Sequence, residues 1–141
     1  MNDEQLHEVA SGLHAASIRL LRMVRREDRL TGISPPRLSA LSVLVFAGPM
    51  SLAELAAAEE VKAPTMSRIV EGLVADGLAT RDTDPANRRR VRIAATEEGR
   101  RRLEAGRQQR VRALRERLRR LAESEQRALA RGLEVLERAV R

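Results

Sequence analysis

The amino-acid sequence predicts a mainly α-helical fold carrying one small two- or three-stranded antiparallel β element, and three observations predict it. Apolar residues recur at spacings of three and four in stretch after stretch, the pattern of helices with one buried face, and Gly or Pro stands at most of the breaks between them. Only residues 78–94 alternate apolar with other residues on either side of turn formers. The chain has 141 residues, enough for a single core that removes about two thirds of the unfolded surface from water.

Taken in order, residues 2–30 form a long helical pattern with Leu6, Val9, Leu13, Leu20, Leu21 and Val24 near a 3.6 period. Gly12 weakens this helix without ending it, and Thr31-Gly32 closes it. Ser34 followed by Pro35 opens the next helix. Its Leu38, Leu41, Val43, Leu44, Val45 and Phe46 are apolar nearly all round, which predicts a central place in the fold. Gly48-Pro49 ends it. Ser51 with Glu54 three residues later is a capping box, and Leu52, Leu55 and Ala56 share one face of a short helix behind it. Glu59, Glu60 and Val61 interrupt the pattern. Pro64 restarts it, because a proline at a helix start gives up an N–H that had no partner anyway.

Met66, Ile69, Val70, Leu73 and Val74 line one face of this next helix; Thr65, Ser67, Arg68 and Glu71 line the other. Gly77 stands where a left-handed residue stops a helix. The segments 78–81 and 91–94 then flank Asp82-Thr83-Asp84-Pro85-Ala86-Asn87-Arg88-Arg89-Arg90 and predict a long-looped hairpin. Thr96 caps a further helix with Glu97 and Glu98 at its positive end, striped by Leu103, Val111, Leu114, Leu118 and Leu121. Arginines cover its other faces; they read mostly as a solvated surface paired with Glu104, Glu116 and their neighbours. Ser124 restarts a final helix with Leu129, Leu133, Leu136 and Val140 on one stripe.

Composition narrows the function. The formal charge is +7, the pI is near 11.4, and all but one of the 27 basic residues are arginines, the exception being Lys62. Such a balance favours a polyanionic partner. With Phe46 as the single aromatic residue, the base stacking used by single-strand binders is missing, which points to duplex DNA. Cysteine is absent, so disulfides, thiolate metal sites and thiol redox sensing are excluded. No run of about 18 apolar residues appears, and the acidic start Asn2-Asp3-Glu4 is unlike a signal peptide. A cytoplasmic protein without a membrane partner is expected. No nucleophile turn, phosphate loop or carboxylate pair is present, so an enzyme is not expected, nor a cofactor. His7 and His14 share a face of the first helix and could at most join a weak zinc site across a dimer, so no metal is assigned.

Two short helices joined by a tight turn lay the second in the DNA major groove with its first residues against base edges. Thr65, Ser67 and Arg68 are so placed, and Arg can give guanine O6 and N7 two parallel bonds. A plain helical hairpin with a solvated face is the competing reading. It leaves unexplained the run Arg88-Arg89-Arg90, which a narrow, electronegative minor groove would stabilise. The helix starting near Pro64 is preceded by Lys62 and Ala63, neither of which can accept from its first N–H groups. A DNA phosphate, aided by Lys62 and the helix dipole, would complete that terminus.

SLAELA, PTMSRIVEGLVADGL and RDTDPANRRRVRIAAT together resemble the winged helix-turn-helix of the multiple-antibiotic-resistance regulators, the MarR family, over the whole chain in length and helix order. The resemblance implies that an arginine at Arg68 faces the operator and that the wing, Asp84 to Arg89 with Asn87 in place of an Asp, inserts an arginine into the minor groove. It implies dimerisation by interdigitated terminal helices, here residues 1–32 and 97–141, around a reading unit of residues 34–96. A two-fold dimer would also bury the apolar stripes of the outer helices and place two reading helices about 34 Å apart on a near-palindromic operator.

The expected DNA contacts are Thr65, Ser67 and Arg68 to bases, Arg88 and Arg89 at the minor groove, and Ser51, Lys62 and Arg90 at phosphates, with Ala63 at the helix terminus and Asn87 in the wing turn among the DNA-binding residues. Relatives of this kind bind small amphipathic effectors between dimer helices and reading unit. Leu13, Ser17, Leu21, Leu41 and Val45 are the corresponding positions, each of which also suits plain core packing. The expected function is a sequence-specific transcriptional regulator of repressor type. An architectural DNA binder and a helical module for an acidic protein partner are the alternatives.

Overall fold

The computed structural model describes the backbone from Met1 to Arg141 and every side chain except those of Asp84, Arg88, Arg89 and Arg90. Helix α1 (Asp3–Asp28) begins at a capping box that the sequence reading missed: Asn2 Oδ1 accepts from Gln5 N and Gln5 Oε1 from Asn2 N, each at 2.9 Å. A 3-10 turn (Arg29–Thr31) extends it. Helix α2 (Pro35–Ala47) starts after Ser34 as expected, although the Ser34 side chain makes no cap bond. It packs against α4, α5 and β3 and buries Leu38, Ala40, Leu41 and Leu44. Phe46 departs from the expectation of an all-round buried helix. It sits in the last turn, at the open crevice between α2 and the helix of residues 97–118, and is 78% exposed.

Strand β1 (Met50–Ser51) leads into α3 (Leu52–Ala58), which opens on the predicted box: Ser51 Oγ accepts from Glu54 N at 3.2 Å and Glu54 Oε2 from Ser51 N at 2.7 Å. Helix α3 ends in a six-residue loop-back in which Val61 N donates to Ala56 O and Glu60 N to Ala57 O. Glu60 takes the left-handed position at φ +54°, where a Cβ is a strain that glycine would avoid. Helix α4 (Ala63–Ala75) ends in the same motif with the preferred residue. Gly77 sits at φ +71°, Leu78 N donates to Leu73 O at 2.8 Å and Gly77 N to Val74 O at 3.0 Å. Leu73 and Leu78, the apolar pair that accompanies this turn, are both buried.

Strands β2 (Ala79–Asp84) and β3 (Asn87–Ala95) form the hairpin, and β1 pairs with the far edge of β3, giving the order β1-β3-β2, all antiparallel. The pairing runs from Ala79 opposite Ala95 to Asp84 opposite Asn87, with an irregularity between Thr83 and Asp84. The long loop expected over residues 82–90 is therefore corrected. The outer hairpin is exposed on the described residues, so its side chains carry no apolar alternation to reveal the strands.

Helix α5 (Glu97–Leu118) returns along α1 and α2, and α6 (Glu123–Ala139) ends the chain. The last helix starts at Glu123 instead of Ser124, with Ala122 at the cap and Glu125 Oε2 accepting from Ala122 N at 2.8 Å. One core gathers α2, α3, α4, the sheet and the start of α5, with Leu41, Leu44, Leu55, Met66, Val70, Leu73 and Ile93 fully buried.

Candidate nucleic-acid interface

Helix α4 is anchored by its apolar face and open on the other. Met66, Val70 and Leu73 are buried, whereas Lys62, Ala63, Pro64, Thr65 and Arg68 are exposed and Ser67 is half-buried. Ser67 donates its hydroxyl proton to Glu71 Oε1 at 3.1 Å, which leaves the oxygen lone pairs as its means of contacting a base. The helix starts at Ala63, one residue earlier than the sequence reading placed it, so the cap position is Lys62, whose side chain makes no cap bond. No acidic residue lies in the first turn. The positive end of the α4 dipole is therefore uncompensated by the chain itself, in contrast to α3 and α5, where Ser51 and Thr96 accept from the first turn and Glu54, Glu97 and Glu98 stand near it.

At the edge of this unit the Ser51 oxygen is engaged with the Glu54 N–H. Asn87 is exposed at the hairpin tip, opposite Asp84 in register. The assignments of Arg88, Arg89 and Arg90 to DNA fall on side chains outside the described residues. Below the tip Arg92, opposite both Ser51 and Asp82, donates to Pro49 O at 3.2 Å and links β3 to the loop before β1. Periodicity gave no signal for this contact, since an exposed strand arginine reads as solvated. It gave none for Arg37 of α2 either, whose guanidinium reaches Asp76 at the end of α4 at 3.1 Å.

The arginines of α5 divide. Arg107 and Arg119 pair with Glu104 and Glu116 at 3.2 and 2.9 Å, and Arg101 pairs with Glu98, as a solvated face should. Arg102 and Arg110 instead hold the end of α1, by Thr31 O at 2.6 Å and Asp28 Oδ1 at 2.5 Å.

Of the five positions considered for an effector, Leu41 is fully buried core and Leu13, Ser17 and Leu21 are exposed on α1, with Ser17 donating back to His14 O. Val45 lines a crevice. That crevice, about 300 Å³ between α2 and α5, is also walled by Ser42, Phe46, Leu103, Arg100 and Arg107. Among the described residues no three His, Asp or Glu side chains gather as a metal site. Among the described residues no single helix is long and apolar enough to cross a membrane.

Comparison with known proteins gives a consistent picture. Residues 33–91 match the model of the MarR family. An HTH-type transcriptional regulator of Mycobacterium tuberculosis is 35% identical over 117 residues, covering 83% of this chain and 82% of its own. The structure of a MarR family protein from Bacillus stearothermophilus superposes with a TM-score of 0.78 at 26% identity, covering 99% of this chain and 98% of that one. A MepR variant from S. aureus, bound to an oligodeoxyribonucleotide, shares the fold with a TM-score of 0.76 at 18% identity, covering 94% and 98%.

Proposed function

The chain belongs to the MarR family, and from that premise we propose that it is a cytoplasmic, homodimeric repressor that binds a near-palindromic operator in duplex DNA. Helix α4 enters the major groove and the β2–β3 wing the adjacent minor groove. Thr65, Ser67 and Arg68 read bases. Asn87, Arg88 and Arg89 occupy the minor groove, and Ser51, Lys62, Ala63 and Arg90 contact phosphates. The observation that carries this reading is the exposed, uncapped and acid-free first turn of α4 on a helix whose opposite face is locked in the core. Such a terminus attracts an anion. The S. aureus neighbour, similar in fold, carries an oligodeoxyribonucleotide.

Residues 1–32 and 97–141 supply the dimer. Leu6, Val9, Leu13, Leu20 and Leu21 of α1 and Leu129, Leu133 and Val135 of α6 are all exposed in the single chain. An open cleft of about 430 Å³ between α5 and α6, lined by Leu118, Leu129, Ala130 and Leu133, suits insertion of a helix from a second copy. A small amphipathic effector enters the α2–α5 crevice beside Val45 and Phe46 and changes the separation of the two reading helices.

Selection of bound fragments from genomic DNA, followed by competition against bulk DNA, tests the reading. A regulator prefers its site by roughly a thousandfold or more. A ratio near one would make the protein an architectural binder, and failure to shift duplex DNA at moderate salt would make it a protein-interaction module.

A further inference from the structure

We propose that Thr96 is a positioning residue for α4, tying the C-terminal end of the reading helix to the arm that leads into the dimer; this rests on α4 being the reading helix. Thr96 lies between β3 and α5; its carbonyl accepts from Arg100 N in the first turn of α5, and three further bonds fix the joint. Its Oγ1 accepts from Gly99 N at 3.0 Å, which caps α5, and donates to Gly77 O at 2.7 Å; its backbone N donates to Leu78 O at 3.0 Å. Capping needs only the acceptor. The donated bond goes 19 residues back in sequence, to the glycine that terminates α4.

The joint is close-packed as well as bonded. A Cβ on Gly99 would lie 2.2 Å from Leu78 O and 3.1 Å from Leu41 Cδ1, so the first turn of α5 rests on the backbone of the residue that follows Gly77. Leu78 is itself bonded to Leu73 O inside α4 and is buried. A tilt of α5 is thus delivered to the last turn of α4 through one buried residue and one hydroxyl. Arg37 holds Asp76 from the α2 side at the same end, so the last turn of α4 is gripped by both helices that wall the α2–α5 crevice.

The test separates the tie from the cap. Thr96→Ser keeps both hydroxyl bonds, Thr96→Val removes both, and Thr96→Asp keeps an acceptor for Gly99 N while it cannot donate to Gly77 O. The full-length protein is assayed for its affinity for the selected operator fragment divided by its affinity for bulk genomic DNA, well below the thermal midpoint of each variant. An added carboxylate weakens both affinities through the same phosphate term, so the ratio reports geometry. Thr96→Ser should keep the ratio, and Thr96→Val and Thr96→Asp should each lower it by about tenfold, the order of one net hydrogen bond. A wild-type ratio for Thr96→Asp would reduce Thr96 to a helix cap and overturn the proposal. Arg68→Ala is measured in parallel. If it lowers the ratio while Thr96→Asp does not, the positioning role alone fails; if it leaves the ratio unchanged, α4 is not the reading helix and both readings fall.

Discussion

The reading unit and the outer helices are built from the same kind of pattern and end in opposite states. Every buried apolar residue lies between Ile33 and Leu103, where α2, α3, α4, the sheet and the start of α5 enclose one another. Helices α1 and α6 carry stripes just as regular, yet neither buries a single residue. An amphipathic pattern states that a helix has a face to cover; it does not state whether the same chain covers it. The inner unit answers that question alone, whereas the outer pair leaves its faces open in the single chain, where the proposed dimer would cover them.

Breaking the outer pair gives the largest expected effect. Leu129 and Leu133 are 50% and 54% exposed in the single chain, and full burial of a leucine is worth about 1.5–3 kcal/mol. Replacing both with Glu acts twice in a two-fold dimer and adds the desolvation of four carboxylates. Sedimentation should show a monomer at micromolar concentration, operator affinity should fall by more than about a hundredfold as one half-site is lost, and the inner unit should keep its helical circular dichroism. A dimer that survives the double substitution would contradict the assignment of α6 to the interface.

The next effect sharpens the contrast by making one change in both regions. Leu44 is fully buried, and Leu44→Ala should destabilise by about 2–5 kcal/mol whatever the oligomeric state. Leu133→Ala, added to Leu129→Glu and compared with Leu129→Glu alone at a concentration where sedimentation shows both as monomers, should shift thermal stability by less than about 1 kcal/mol, since half of that side chain already meets water. Comparable losses at the two positions would mean that α6 is packed within its own chain.

What the sequence made legible follows the same division. Ser51 with Glu54, Thr96 and Gly77 were readable because caps and stops are local chemistry, satisfied within a few residues. The place of the third strand, left open by the expectation of two or three strands, was not, because β1 is only Met50 and Ser51, too short for an alternation to show. The extent of the hairpin was hidden for a related reason: with solvent on the described side chains of its outer part, pairing leaves no alternation to count. Arg102 and Arg110 read as members of a solvated run, and only tertiary contact with Thr31 and Asp28 distinguishes them from Arg107 and Arg119. In the site, the open face of α4 was legible from its period, whereas the Gly77–Thr96 tie joins residues whose proximity depends on the folded hairpin between them.

Within the reading unit a smaller effect distinguishes the two parts proposed to face DNA. Arg68→Ala should weaken operator binding by about 1–3 kcal/mol and relax specificity at one position. Arg88→Ala should weaken all sequences alike and reduce the slope of log affinity against log salt by about one. Titration of the selected fragment and of bulk DNA at several salt concentrations checks both. A site-specific loss for Arg88 with an unchanged slope would remove the wing from the phosphate and minor-groove account.

The smallest effect has two signs and bears on why α4 begins as it does. Lys62 occupies a cap position without accepting from the helix, where Ser would stabilise the free protein by about 1 kcal/mol. That stabilisation is absent at the helix terminus proposed to meet DNA, which follows if a phosphate oxygen fills the acceptor position in the complex. Lys62→Ser and Lys62→Ala both remove the charge, so the difference between them reports the terminus alone. Lys62→Ser should raise the thermal midpoint above that of Lys62→Ala and bind the operator more weakly, because its hydroxyl competes with the phosphate for the same N–H groups. Equal affinities, with the midpoint still raised, would mean that the first turn of α4 faces water in the complex and that Lys62 acts only as a charge.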